Sequence, residues 1–270
     1  MNPKHFILGG DIKKSLAEGY QLDLKKLFKD AFIVTRKNFL PLLTACIFIL
    51  LAFTFTFTLL VDESTSFDDP SVLGIFFILA LLVAPPLMTG LLMMGVHHSI
   101  GLKSKSFHLF NYFNIVFKLS LAALMINVMT NVASVILGEF FGNAGFALSV
   151  IVLLYLKMSF SLVYLLIAEK KVPPLQALKL SFQLVHKNIG QFTQLLIIFV
   201  LLFLVGLITS GIGLFFVIPF CINVMGIIYR QICGVSITVT EDPENNGLSQ
   251  ESHHHNDDDH SGPKNGGFEA

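Results

Sequence analysis

The sequence predicts an all-α polytopic membrane protein with six transmembrane helices, two cytoplasmic interfacial amphipathic helices and an internal parallel repeat. Three observations carry that expectation. Of the 270 residues 54% are hydrophobic and only 13% charged, and mean hydropathy reaches +0.73, far above an ordinary soluble domain. The apolar residues gather into runs long enough to cross about 30 Å of hydrocarbon, which takes about 20 residues. Of the 18 Lys and Arg, all but Lys157 fall in segments that can share one membrane face. A formal net charge of zero, with cations flanking apolar runs, gives no footprint for nucleic acid.

Residues 1–22 read as a polar cytoplasmic segment, 23–236 as the membrane domain and 237–270 as a disordered acidic tail. The N-terminal segment has no apolar h-region with a cleavage site, so the first span is expected to insert uncleaved. Leu24, Leu27, Phe28, Ala31 and Val34 share one helical face, leaving Lys25, Lys26, Lys29 and Lys37 for headgroups. The first apolar run, 39–61, contains Phe53, Phe55 and Phe57 alternating with Thr54, Thr56 and Thr58, as in a strand. An open strand in lipid would leave its backbone unpaired, so a helix is expected.

The second span falls near 73–96, with Pro85 and Pro86 close to its centre. Spans at 119–137 and 146–168 follow, joined by 138–145. Pro173 and Pro174 suit a helix start, and Leu175, Leu178, Phe182 and Val185 repeat the amphipathic spacing. The uncharged stretch 189–229 is interrupted by turn chemistry at 209–213, giving spans five and six. The connections 62–70, 138–145 and 209–213 contain no Lys or Arg, whereas Lys103, Lys105, Lys118, Lys170, Lys171, Lys179 and Lys187 mark the opposite loops. The positive-inside rule then puts both termini in the cytoplasm.

Aligning 31–39 with 181–189 makes Phe32 and Phe182, Lys37 and Lys187, and Asn38 and Asn188 identical pairs. The stretch 86–101 matches 219–234 without a gap, from Pro86 and Pro219 to Gly101 and Gly234. The implied repeat is an amphipathic helix plus a hairpin. Such duplication suits a transporter with a central site and equally a stable bundle.

The segment Gln176 to Asn188, after a Lys-bearing span and Pro-Pro, resembles a bacterial group of uncharacterised six-helix inner-membrane proteins. That group is related to the membrane domain fused to some glycerophosphodiester phosphodiesterases. The resemblance, over roughly 25–234, implies fold and a bacterial inner-membrane location. It also implies a basic residue in the fourth span, which Lys157 matches. No phosphodiesterase domain follows in this sequence, so no catalytic residue carries over.

Lys157 lies midway along 146–168, about 16 Å of helix from either end at about 1.5 Å per residue, beyond the reach of a snorkelling side chain. No Asp or Glu occupies any expected span. A central Lys costs about 2.5 to 3.5 kcal/mol on insertion scales, which makes it a candidate site. Asn127, Asn131 and Ser134 follow i, i+4, i+7 spacing at its depth, and Asn223 adds an amide on span six. Pro85, Pro86 and Pro219 are candidate helix breaks that release carbonyls near Leu81, Leu82 and Phe215. Three readings stay open: a structural network, a cavity binding an anion such as a phosphate headgroup, or a contact with a second subunit. Gly90, Gly95, Gly206 and Gly226 permit close helix approach.

Cys46, Cys221 and Cys233 have no metal-ligand spacing and read as buried hydrophobes. His97, His98 and His108 read as interfacial side chains whose charge follows pH, with metal binding the lesser alternative. His253, His254, His255 and His260 offer a weak metal site in the tail, without a scaffold to fix geometry. No nucleophile, metalloprotease or phosphate-loop pattern is present, and no cofactor is implied. Two functions remain: a non-enzymatic protein binding or translocating a small or lipidic anion at Lys157, Asn127, Asn131 and Asn223, or a regulatory membrane subunit recruiting protein partners through its cytoplasmic helices and tail.

Overall fold

The computed structural model describes residues 4–60 and 70–239. The segment 61–69 and the tail from 240, with His253, His254, His255 and His260, lie outside the described residues. A compact unit spans Ile7–Val235, and β1 (Lys4–Leu8) pairs with β2 (Val235–Val239).

Helices follow where capping chemistry and apolar pattern agree. Asp11 and Asp23 accept from the backbone N–H of Lys14 and Lys26, each at 3.0 Å, and so start α1 (Ile12–Ala17) and α2 (Leu24–Lys37). Helix α2 buries Leu27, Ala31 and Thr35 and leaves Lys25, Lys26 and Lys29 exposed. At Asn38 the chain turns by 80° into α3 (Phe39–Leu60). The Phe-Thr alternation is helical here. Thr54 returns its hydroxyl to the Leu50 carbonyl at 2.9 Å, a bond that lets a polar side chain sit on an exposed, otherwise apolar helix.

Helix α4 (Pro70–Ser99) leads through a 3₁₀ stretch, Ser106–Ile115, into α5 (Val116–Phe141). Helices α6 (Asn143–Ser159) and α7 (Val163–Glu169) follow, then α8 (Pro174–Lys187), α9 (Ile189–Ile208) and α10 (Leu214–Cys233). Five helical segments are long and apolar enough to cross a membrane, or six if the bent α2–α3 pair forms one span. On α9, Ile197, Leu201, Leu204 and Ile208 recur at helical spacing and are all exposed. A contiguous apolar face of this kind needs lipid or another apolar cover.

The core sits toward one end of the helices, where α4 and α10 cross and α2, α7 and α8 pack around them. A side chain on Gly95 or Gly226 would meet the backbone of the other helix, so the small residues serve contact within the chain. Gly90 likewise faces the Leu109 backbone. At this end Tyr229 donates to Glu169 Oε2 at 2.8 Å, Lys170 reaches Glu169 Oε1 at 3.1 Å, and Arg230 donates to the Ser99 carbonyl.

Several expectations are corrected. The connection expected over 138–145 shrinks to Gly142 between α5 and α6, because Gly145 lets α6 approach the Leu137 backbone. Pro85, Pro86 and Pro219 break nothing: α4 and α10 continue through them. A proline costs the helix a donor, but packing on both sides keeps these three buried and in line. The break lies instead at Phe160, between α6 and α7. Apart from these corrections, residues 7–22 pack within the compact unit, which leaves their expected cytoplasmic side untouched. Leu22 is buried, its backbone paired through both N–H and C=O with the Gln191 side chain at 2.8 and 3.0 Å, and Tyr20 donates to the Leu184 carbonyl at 2.6 Å. Burial pushes the Tyr20 phenol well above its ordinary pKa, with a smaller contribution from Cys233, so it stays a donor.

Candidate functional site: a polar cavity at Lys157

A cavity of about 520 Å³ opens between α4, α5 and α6, and Lys157, Asn127 and Asn131 all line it. Each helix contributes for its own reason. On α5, Asn127 and Asn131 are one turn apart, and the Asn131 amide donates to the Asn127 carbonyl at 2.9 Å, fixing its orientation. On α4, Leu81 and Pro85 both line the wall, and Pro85 has no N–H to offer the Leu81 carbonyl. An underused acceptor therefore borders the cavity.

Lys157 falls in the last turn of α6, where the helix dipole favours a cation. Just beyond it the α-helical hydrogen bonding is interrupted over residues 160–162, within a helical stretch that otherwise runs on from Ala144 to Glu169. Phe160 and Ser161 donate to the Leu156 and Met158 carbonyls in a tightened turn, at 3.0 and 3.2 Å. Ser181 of α8 then secures the break: its buried hydroxyl donates to the Ser159 carbonyl at 2.8 Å and accepts from the Leu162 N–H at 3.3 Å. One serine so replaces two missing helical bonds. Ser181→Ala should leave the Leu162 N–H without its partner and cost about 1 to 3 kcal/mol. Hydrogen exchange reads this directly, as faster exchange confined to the amides around 160–163; unchanged exchange there would show that Ser181 does not hold the break.

Ser161 and Tyr164 also line the cavity, two residues beyond those the sequence reading selects. With Lys157 they follow the same i, i+4, i+7 spacing as Asn127, Asn131 and Ser134, which is the signal that could have found them. The Ser161 hydroxyl is buried without a hydrogen-bond partner among the described residues, and Lys157 makes no ion pair among them. The cavity thus brings together a cation, two amides and an unused hydroxyl, a set of donors suited to an anion.

Ser134 lies off the cavity, its carbonyl accepting from Ser149 at 3.4 Å. Asn223 is elsewhere too. It is fully buried, with its Oδ1 3.2 Å from His98 Nδ1 and its Nδ2 donating to Thr35 Oγ1 at 2.9 Å. His98 is buried as well and its Nε2 lies 2.6 Å from Ser104 Oγ, so it is an internal node and not an interfacial side chain. The expected grouping of Asn223 with Lys157 fails because α10 turns this amide toward α2 and the end of α4. Among the described residues no group of His, Cys, Asp and Glu could hold a metal ion.

The all-α fold, with five or six helical segments long and apolar enough to cross a membrane, is consistent with a multi-pass membrane protein that has a cavity between its helices. No family model, curated protein or solved structure matches the chain.

Proposed function

We propose that the protein is a non-enzymatic six-span protein of the bacterial inner membrane that binds, and in doing so can carry, a small or lipidic anion at Lys157. The observation that carries this reading is the convergence of Lys157, Asn127, Asn131 and the unpartnered Ser161 on one cavity. Every polar side chain there can donate a hydrogen bond, and among the described residues no carboxylate lines it. A cation held at that depth costs free energy, and an anionic ligand would offset the cost.

The two-repeat organisation is part of the proposal and draws support from local geometry. Helices α2 and α8 are each 14 residues long and each is followed by one Asn before a long apolar helix. Both bury the same register, Leu27, Ala31 and Thr35 in one and Ala177, Ser181 and Val185 in the other. Cytoplasmic termini and membership of the six-helix bacterial group rest on the charge pattern and the segment from Gln176 to Asn188.

Native mass spectrometry of gently extracted protein tests the reading. Wild type should retain a co-purifying anionic ligand, and Lys157→Met, folded by size-exclusion and circular dichroism, should lose at least 90% of it, about 1.4 kcal/mol or more of binding. Identical ligand-free spectra from both would reject the anion site and favour a partner-recruiting membrane subunit.

A further inference from the structure

The Lys157 cavity does not stand alone. A second cavity, about 1020 Å³ and almost wholly apolar, lies between α3, α9 and α10. Met88 and Leu92 of α4 line both, so the two spaces adjoin along this stretch of α4. Leu154, one helical turn before Lys157, lines the apolar space as Lys157 lines the polar one.

Resting on the anion reading, we propose that the ligand is an anionic lipid whose headgroup sits at Lys157 while one acyl chain passes Met88 and Leu92 into the apolar cavity. Charge and shape argue for this occupant together. The first cavity sets a cation and neutral donors among apolar side chains, which suits an anion with an apolar part, and the second offers a solute almost nothing polar beyond the thiols of Cys46 and Cys221. Along α10 the apolar lining runs from Leu214 to Met225, about 16 Å at about 1.5 Å per residue. That is about half of the ~30 Å hydrocarbon thickness, the depth of one leaflet and so the reach of one acyl chain. Met88 is a flexible thioether that can swing aside for the chain. A free phosphate would use the first cavity and leave the second without a role.

The chain contains no tryptophan, so one introduced indole reports alone. Phe199→Trp places it in the apolar cavity, and Ile136→Trp places it on the exposed face of α5, outside both cavities. Each protein, in detergent, is titrated with lysophosphatidic acid carrying a brominated acyl chain. Phe199→Trp should be quenched saturably, Ile136→Trp at least tenfold less, and adding Lys157→Met to Phe199→Trp should weaken the midpoint at least tenfold. Equal quenching at both positions would mean that the probe only partitions into the micelle, and would overturn the lipid proposal. Should Phe199→Trp misfold, Val200→Trp, also in the lining, replaces it. Calorimetric titration with glycerol 3-phosphate separates the two levels of inference. Lys157-dependent binding of the chainless anion as tight as that of the lipid would sink the acyl-chain assignment and keep the anion site. Quenching and calorimetry both indifferent to Lys157→Met would sink the anion site itself.

Discussion

Gly226→Leu should prevent assembly of the helical unit. A β-carbon on Gly226 would fall within 2.6 Å of the Val96 backbone nitrogen as well as against the backbone of Gly95, and one on Gly95 would come 2.9 Å from the Ile222 side chain. Real β-carbons essentially never approach below 3.0 Å, and the obstacle here is backbone, which cannot rotate aside. Membrane helices gain no hydrophobic drive from meeting each other, so close packing supplies much of their association. Gly226→Ala should therefore cost about 1 to 3 kcal/mol, and Gly226→Leu more than about 3 kcal/mol. Thermal unfolding in detergent, with size-exclusion to detect loss of monodisperse protein, measures both. Gly190→Ala is the internal comparison. It lies in α9, where a β-carbon would have nothing within 4 Å, and it should be neutral or stabilising by up to about 1 kcal/mol. Equal behaviour of the Gly190 and Gly226 substitutions would show that the α4–α10 crossing is not tight.

What can be read in the sequence is whatever is local or periodic. The turn at 209–213 lies between the end of α9 at Ile208 and the start of α10 at Leu214, because Ser, Gly and Thr state a turn by themselves. Pro174 opens α8 for the same reason. The grouping of Lys157 with Asn127 and Asn131 is legible from depth and spacing, since two helices joined by a short connection must pack side by side. Features imposed from a distance are not legible. The α6–α7 break has no proline or glycine to announce it, and the bonds that compensate it come from Ser181, on another helix. Hydrophobicity ranks Val34 above Thr35 as the inward residue of α2, yet Thr35 is the buried one and has Asn223 as its partner. Polar residues inside a membrane protein are assigned by what they meet, and only tertiary structure says what that is.

Asn223→Leu and Lys157→Met should have opposite consequences, and the contrast separates the buried Asn223 network from the Lys157 cavity. Asn223 links α10 to Thr35 of α2 and His98 of α4, and His98 in turn meets Ser104 beyond the end of that helix. Leucine fills similar space but answers neither partner. Each buried group left unpaired costs about 1 to 3 kcal/mol, so with two partners stranded Asn223→Leu should destabilise by about 2 to 6 kcal/mol. Thr35→Val removes one of the stranded partners, and the double variant Thr35→Val with Asn223→Leu should lose less than the sum of the single losses by about 1 kcal/mol. Additive losses would mean that the Thr35 to Asn223 bond contributes nothing. Anion retention should survive Asn223→Leu wherever the protein remains folded, because Asn223 lies off the Lys157 cavity. Lys157→Met should do the reverse: Lys157 makes no ion pair among the described residues, and at the membrane depth proposed above its charge costs free energy, so unfolding temperature should hold or rise while ligand is lost. A fall in stability with ligand retained would make Lys157 a packing element and Asn223 the better candidate for recognition.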